Sequence, residues 1–395
     1  MSFEIALSGI NAVNAELNTI SNNIANSGTY GFKSSRTNFS STYAGTQATG
    51  TEASSQTQSI DIGGGVLNTG RAMDAAIQGR GFFVTKDNSG AMLYTRVGSF
   101  STDKNGFVVD TFGRKLQGYA MKPGSTALGA MGDLTVPTGQ VAAQASTKIQ
   151  YVGNLSADWA VPTVAPFDKT DPLTFNGSMV SVVYDSLGAQ HSVTQYFVKT
   201  ASNQVTVHYT FDGTDLATTS TLNFGTDGQL VSPTAAVPVA LGTPAGAAAL
   251  AVNFNYAGTT QFAGEATTSV NATDGYASGT LTGVQLSADG SVLAQYSNGQ
   301  KQSVGKIVLA AFPAEGALVP VSDTSWTTSV DSGAPLFFTP GSGMAGELTT
   351  GSLEQSNVDM TAQLVNLMSA QRNYQANTKV ISTEDELMKT LMQAV

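Results

Sequence analysis

The chain has 395 residues, with 18 Lys or Arg against 28 Asp or Glu, so it carries a net charge of −10 and only 12% charged side chains, about half the usual ~25%. That length points to two or three domains, and so few basic residues supply no face able to neutralise nucleic-acid phosphates. Zero cysteines exclude disulfides, thiolate zinc sites and cysteine nucleophiles, and two histidines leave little for a His-rich metal site or a Ser-His-Asp triad.

Residues 1–10 have neither a basic stretch nor a continuous apolar run and read as lacking a Sec-type signal, so the chain is expected to stay in the cytoplasm or leave by another route. Phe3, Ala6, Ile10, Val13, Leu17, Ile20 and Ile24 recur at alternating steps of three and four. That is an a/d stripe held for three heptads, and it predicts an amphipathic helix. The stripe stops at 26–31, where Asn26, Gly28 and Gly31 suit helix-ending conformations. The run Gly28-Thr-Tyr-Gly31-Phe-Lys33-Ser34 has no Lys directly after its second Gly and follows a helix rather than a strand. It reads as a helix stop, not a phosphate cradle. Residues 27–70 are rich in Ser, Thr, Gly and Gln with few apolar anchors, and predict an extended connector whose disorder in the free monomer would fit so little apolar surface.

Beyond 70, strand and turn signals take over. Gly79-Arg80-Gly81 leads into a strand, so it reads as a tight turn rather than a dinucleotide fingerprint. Alternating residues at 93–100 and 107–110 flank Asn105-Gly106. The same pattern at 281–286 and 292–296 flanks Asp289-Gly290, with Asn298-Gly299 after it. These pairs predict type I′ hairpin turns in antiparallel sheets.

A second β block spans about 148–275, with strands at 179–184, 191–199, 204–211 and 249–256. Here Lys148, Lys169 and Lys199 stand against Asp158, Asp168, Asp171, Asp185, Asp212, Asp215, Asp227, Glu265 and Asp274, so −6 of the net charge of −10 lies in this block. A separate, solvent-facing domain is the simple reading. His208 reads as a solvated strand residue opposite the Val205, Val207 and Tyr209 face, and His191 as a local partner of Asp185. The Ala-rich window 235–252 is broken by Pro238, Gly242, Pro244 and Gly246 and does not read as a membrane span.

At the far end Ser356 and Asp359 offer a Ser-x-x-Asp capping pattern. Leu367, Tyr374, Ile381, Met388 and Val395 then fall seven apart, with Met360, Leu364 and Leu391 along one flank, predicting a second long amphipathic helix. No GxSxG elbow, HExxH or EF-hand loop is present, and no set supplies nucleophile, base and orienter, so no enzyme, metal or cofactor is expected. Isolated helices of this length are marginal in water. The first stripe also carries Asn11, Asn14, Asn18, Asn22 and Asn23, poor helix formers that suit burial through amide hydrogen bonds. The two ends therefore need each other, as an intramolecular pair, or need other copies.

At these residues a family is recognisable. Ala6-Leu-Ser-Gly-Ile-Asn-Ala12, Leu17-Asn-Thr-Ile-Ser-Asn22-Asn23-Ile-Ala-Asn26 and Gly31-Phe32-Lys33 resemble the N-terminal signature of the bacterial flagellar axial proteins, which include rod, hook and hook–filament junction components. Leu353-Glu354-Gln355-Ser356-Asn357-Val-Asp359 and Ala370-Gln371-Arg372-Asn-Tyr374-Gln-Ala-Asn377 resemble their C-terminal signature. Gln78-Gly-Arg-Gly-Phe-Phe83, Tyr94-Thr-Arg-Val-Gly-Ser-Phe100, Val183-Tyr-Asp-Ser-Leu-Gly188, Asp274-Gly-Tyr-Ala-Ser-Gly279 and Tyr296-Ser-Asn-Gly-Gln300 are similar to stretches of the hook members. Distal rod members share both ends but are shorter and lack the acidic block. A surface β-rich binding module would leave both heptad ends without a purpose.

The resemblance implies a multidomain fold in which the terminal α-helices pair as a coiled coil, with two mainly antiparallel β domains between them, the outer inserted in the inner. It implies an assembly core at 1–26 and 359–395, a connector at 27–70 and 351–358, an inner β domain at 71–147 and 276–350, and an outer acidic one at 148–275. Phe3, Ile10, Val13, Leu17, Ile20, Ile24, Leu364, Leu367, Tyr374, Ile381, Met388 and Leu391 would carry self-assembly. The implied function is that of a hook subunit, in a curved, flexible tube passing torque from rod to filament. Expected partners are many copies of the chain, the rod, hook-cap and hook–filament junction proteins and the type III export apparatus, with no nucleic acid and no membrane insertion. A covalent crosslink that some relatives start from a cysteine is not carried over.

Overall fold

A computed structural model describes residues 2–121 and 127–394. The chain divides into two compact units: one holds residues up to Thr138, Thr282–Gln295 and everything from Lys301, the other Gly139–Leu281 and Tyr296–Gln300. Met1 and Val395, the last residue of the predicted C-terminal stripe, lie outside the described residues.

In the first unit both ends are helical. The helix α1 spans Ser2–Ala25 and the helix α2 spans Met360–Ala394, about 50 Å long at 1.5 Å per residue. They pair through Val13, Ile20 and Ala370, with Leu17, Ile24 and Leu367 packed against this cluster. α1 ends as its sequence predicts: Asn26 and Ser27 donate back to the carbonyls of Asn22 and Ile24, and Gly31 takes a φ of +67°. The start of α2 differs from expectation. Asp359 is itself the cap, its Oδ1 accepting from the amides of Thr361 (2.9 Å) and Ala362 (3.1 Å), while the Ser356 hydroxyl accepts from Val358 just outside the helix.

The predicted connector is largely a hairpin. β1 (Ser35–Ala44) and β2 (Gln47–Gln58) pair antiparallel from Ser35↔Gln58 to Ala44↔Gln47, with two bulges. The apolar pattern gave no sign of it because its anchors are hydroxyls and backbone. Thr19 Oγ1 on α1 lies 2.8 Å from Thr37 Oγ1, and Thr51 N donates to Ser8 Oγ. Gly50, at a φ of +134°, lets β2 approach so closely that a Cβ there would collide with Ser8 Oγ. Farther on, β3 (Val66–Asn68) pairs with the strand Ser352–Glu354, so the outgoing and returning chains are stitched together.

The β body of this unit is one large antiparallel sheet. Its main path runs Leu281–Leu286, Ser291–Tyr296, Lys301–Ile307, Lys115–Met121, Phe82–Lys86, Met92–Thr95, Ser325–Thr327, Val319–Val321. Phe82, Tyr94, Phe312 and Trp326 fill its core with edge-to-face contacts, such as Tyr94 to Phe312 at 4.8 Å and 87°.

The second unit has two sheets sharing one core. Gly177–Tyr184, Gln190–Ala201, Gln204–Phe211, Thr214–Phe224 and Leu230–Ser232 form a meander in chain order. Val237–Gly242, Leu250–Asn255, Lys148–Asn154 and Thr267–Thr273 form the other, with one parallel pair, Lys148–Asn154 beside Leu250–Asn255. Strict alternation places Leu250, Val252 and Phe254 inside with Val193, Val205, Val207 and Tyr209 from the meander.

The predicted type I′ turns at Asn105-Gly106, Asp289-Gly290 and Asn298-Gly299 take another form. Only the glycines have positive φ, and each donates three residues back, to Asp103, Ser287 and Tyr296, so these are type I turns closed by a left-handed glycine. Asp103 Oδ1 accepts from the amides of Asn105 and Phe107 and so favours that form. The same Asp-x-x-Gly device recurs at 87–90, 110–113 and 185–188. A two-residue turn with both φ positive occurs at Asp212-Gly213.

Candidate assembly core and its polar junction

α1 is covered on two sides. Val13 and Ile20 of the predicted stripe face α2, with Ile10, Leu17 and Ile24 half-buried beside them. Ala12, Thr19 and Asn23, outside the stripe, are buried too, and α1 also lies along β1 and β2. Phe3, at the free end of the stripe, is exposed. The family-motif Asn22 is exposed and Asn26 half-buried, and they close the helix end, Asn26 Nδ2 donating to the Asn22 carbonyl and side-chain oxygens.

α2 departs from the predicted seam. Leu367 and Ile381 are half-buried, but the flank beside them is Gln363, Ala370, Asn377 and Glu384, with Ala370 the best covered at 1% exposure. Met360, Leu364, Tyr374, Met388 and Leu391, the expected stripe and flank, are exposed, as are Val365, Met368, Leu387 and Met392. At Asn377 the reason is close approach. A Cβ on Gly9 of α1 would meet the Asn377 side chain at 2.9 Å, so at that point only a small residue on α1 fits against the polar one on α2. Gln371 and Arg372 also face outward.

Where the helices join the β body, a polar junction locks both chain ends to it. Asn23, 1% exposed, imitates a strand: its Oδ1 accepts from Ser35 N (2.9 Å), and its Nδ2 donates to Ser35 O (2.8 Å) and Gln363 Oε1 (3.3 Å). Asn357 does the same for the next segment, accepting from Ser34 N and donating to the carbonyls of Ser59 and Ile62. Gly31 N donates to Glu354 O, Asn357 N to Phe32 O, and Gln355 N to Gly65 O. Gly64 must be glycine, because a Cβ there would lie against Gln355 O.

At the centre lies a buried charge cluster. Lys33 Nζ donates to Glu354 Oε1 at 2.7 Å and to Ile62 O at 2.6 Å. Arg96 Nη1 donates to Glu354 Oε2 at 3.3 Å, and Gly64 N to Oε1 at 3.0 Å. All three charged side chains are about 98–99% buried, and the Arg96 guanidinium stacks over the Phe82 ring at 5.1 Å. Burial pushes the Lys33 ammonium below its ordinary pKa, and the Glu354 carboxylate pulls it back up. One carboxylate thus pairs with two cations from distant parts of the chain, Lys33 and Arg96, and without it both would be left buried and unpaired. Lys33 and Glu354 carry the family motif and Arg96 lies in a hook-like stretch, but the part of Arg96 and Gly64 in the cluster was not foreseen, because nothing local marks a partner 258 or 290 residues away.

Each histidine has local partners. His208, expected to be solvated, is half-buried and stacked on Phe167 at 4.3 Å and 17°, and this burial lowers its pKa. His191 lies 3.4 Å from Asp185, as expected, and 2.6 Å from Asp212. Among the described residues no group of three His, Asp or Glu side chains is placed to hold a metal, and no helix is long and apolar enough to cross a membrane.

Comparison with known proteins covers nearly the whole chain. Residues 3–33 match the flagella basal body rod protein family, 76–157 the flagellar hook protein FlgE/F/G D1 domain, 154–276 the flagellar basal body protein FlaE D2 domain, and 349–394 the flagellar basal body rod FlgEFG protein C-terminal family. The flagellar hook protein FlgE of Salmonella typhimurium is 39% identical over 404 residues, covering 99% of each chain. That of Escherichia coli is 38% identical, again covering 99% of each, and that of Brucella suis 34%, covering 98% of this chain and 96% of the relative. The crystal structure of Helicobacter pylori flagellar hook protein FlgE2 shares the fold with a TM-score of 0.53 at 13% identity, over 73% of this chain and 99% of that one.

Proposed function

The chain belongs to the flagellar hook protein family, and on that premise we propose that it builds a curved, flexible hollow tube acting as a universal joint between rod and filament. The observation that carries this reading is the helical pair, which leaves Leu364, Met368, Leu387, Met388, Leu391 and Met392 outward, uncovered by its own seam. A large apolar side chain contributes roughly 1.5–3 kcal/mol on full burial, so half-covering these six against neighbouring copies contributes on the order of 5–10 kcal/mol per subunit.

In this reading the predicted assembly residues on α1 and α2 act between copies as well as within one. Residues 71–147 and 276–350 form an inner layer, and the acidic block 148–275 an outer one. The outer surfaces are polar and weakly charged, and contacts without strong ion pairs have few deep registers to escape, so they slide as the tube bends. The partners are many copies of the same chain, the rod, hook-cap and hook–filament junction proteins, and a type III export apparatus that delivers the chain outside the cell without cleaving a signal peptide.

The test is to concentrate the purified full-length chain under salting-out conditions and examine it by sedimentation and negative-stain microscopy. Hollow tubes are expected. A compact monomer that persists under those conditions contradicts the proposal.

A further inference from the structure

The meander sheet of the acidic unit carries an arrangement apart from the helical assembly core. His191 is the second residue of the strand Gln190–Ala201 and lies between two turns, each bearing an aspartate. Its Nδ1 is 2.6 Å from Asp212 Oδ2 and its Nε2 is 3.4 Å from Asp185 Oδ2. The other oxygen of each carboxylate is already taken by backbone. Asp212 Oδ1 accepts from Ser192 N at 2.8 Å, and Asp185 Oδ1 accepts from Leu187 N at 2.9 Å and Ala189 N at 2.8 Å. The Phe211 ring covers the imidazole at 5.1 Å between centroids.

Ionised carboxylates only accept, so both ring nitrogens must donate for both contacts to hold, and only the imidazolium donates from both. Either neutral tautomer turns a lone pair toward one of the aspartates. Asp212 also needs holding, since it is a non-glycine residue at a φ of +45° and its side chain is 45% exposed.

We propose that His191 is a proton-operated clip that ties the Asp185 turn and the Asp212 turn together while it is an imidazolium, and releases one of them when it loses its proton. The charged groups facing the imidazole are Asp185 from the turn before its strand and Asp212 from the turn after the strand Gln204–Phe211. Lys169 reaches the same second turn at Gly213 O and Asp215 Oδ1, not at the ring. The adjoining strand Gly177–Tyr184 places uncharged Val183 opposite His191.

The pH window follows from directions that agree with this geometry. The Asp212 hydrogen bond, with the Asp185 contact, raises His191 above its ordinary 6.5. Its stabilisation is therefore complete below about pH 6.5 and is lost as pH rises through the raised value. Backbone amides and His191 hold Asp185 and Asp212 below their ordinary 3.8 despite burial, so their share is lost only as pH falls through those lowered values. The clip is closed in between and opens on the alkaline side.

The full-length chain has two histidines, so their ring-proton resonances can be followed together by nuclear magnetic resonance in the unassembled protein. His191 is expected to titrate above pH 6.5, and His208, buried under Phe167, below it. Protection of the amide held by the released aspartate, Ala189 for Asp185 or Ser192 for Asp212, should fall in step with loss of the His191 proton. Asp212→Asn, which tolerates the same backbone conformation, should lower the His191 midpoint and leave that of His208 in place. A His191 midpoint at or below 6.5, one that Asp212→Asn does not move, or amide protection that ignores it would each overturn the clip.

Discussion

The acidic unit and the terminal helices treat their apolar side chains in opposite ways. In the acidic unit two sheets close over Val193, Val205, Val207, Leu222, Val252 and Phe254, each essentially solvent-free. The helices bury Val13, Ile20 and Ala370 between them and turn Leu364, Met368, Leu387, Met388, Leu391 and Met392 outward. The first arrangement is complete in a single chain, whereas in the proposed tube the second is finished by further copies. A short intrachain seam still holds the helices in register, and the junction of Lys33, Arg96 and Glu354 fixes where they leave the β body.

This contrast can be broken by substitutions on either side of it. Glu354→Ala has the largest expected effect, because it strands two buried cations, and should cost about 3–5 kcal/mol. In calorimetry it should move only the transition of the unit that holds the helices; a matching shift of the acidic unit would mean that the two are not independent. Leu222→Ala should cost about 2–5 kcal/mol in the acidic unit. Tube formation under conditions where that unit stays folded should survive it, and loss of tubes there would assign assembly to the wrong region.

The smallest effect on the single chain sharpens the contrast most. Leu391→Ser with Met388→Ser removes two exposed side chains, so chemical denaturation of the monomer should change by no more than about 0.5 kcal/mol per site. The concentration needed for tubes, read by sedimentation, should nevertheless rise at least tenfold. An unchanged threshold would show that these side chains meet no neighbour.

Much of this was legible in the sequence where a local pattern carries the signal. The heptad spacing from Phe3 to Ile24 marks α1, and alternation at 191–211 marks two strands of the meander. The α2 seam was hidden because most of its large apolar residues lie on the exposed face, while the intrachain contact combines Leu367 with Gln363, Ala370 and Asn377. The hairpin of β1 and β2 was hidden because hydroxyls and a close-packed Gly50, rather than apolar residues, attach it to α1. Of the junction, Lys33 and Glu354 belonged to the motifs that carry the family resemblance. Their pairing across 321 residues, and the part played by Arg96, follow only from the fold.

The central claim is that the helices are completed by other copies while the acidic unit is complete alone. Amide hydrogen exchange, read by mass spectrometry on the same full-length chain before and after it assembles, tests this directly. α2 beyond Ala370 should exchange readily in the monomer and become strongly protected in the tube, while the strands Gln190–Ala201 and Gln204–Phe211 keep the same protection in both. Full protection of α2 in the monomer, with no gain on assembly, would contradict the account.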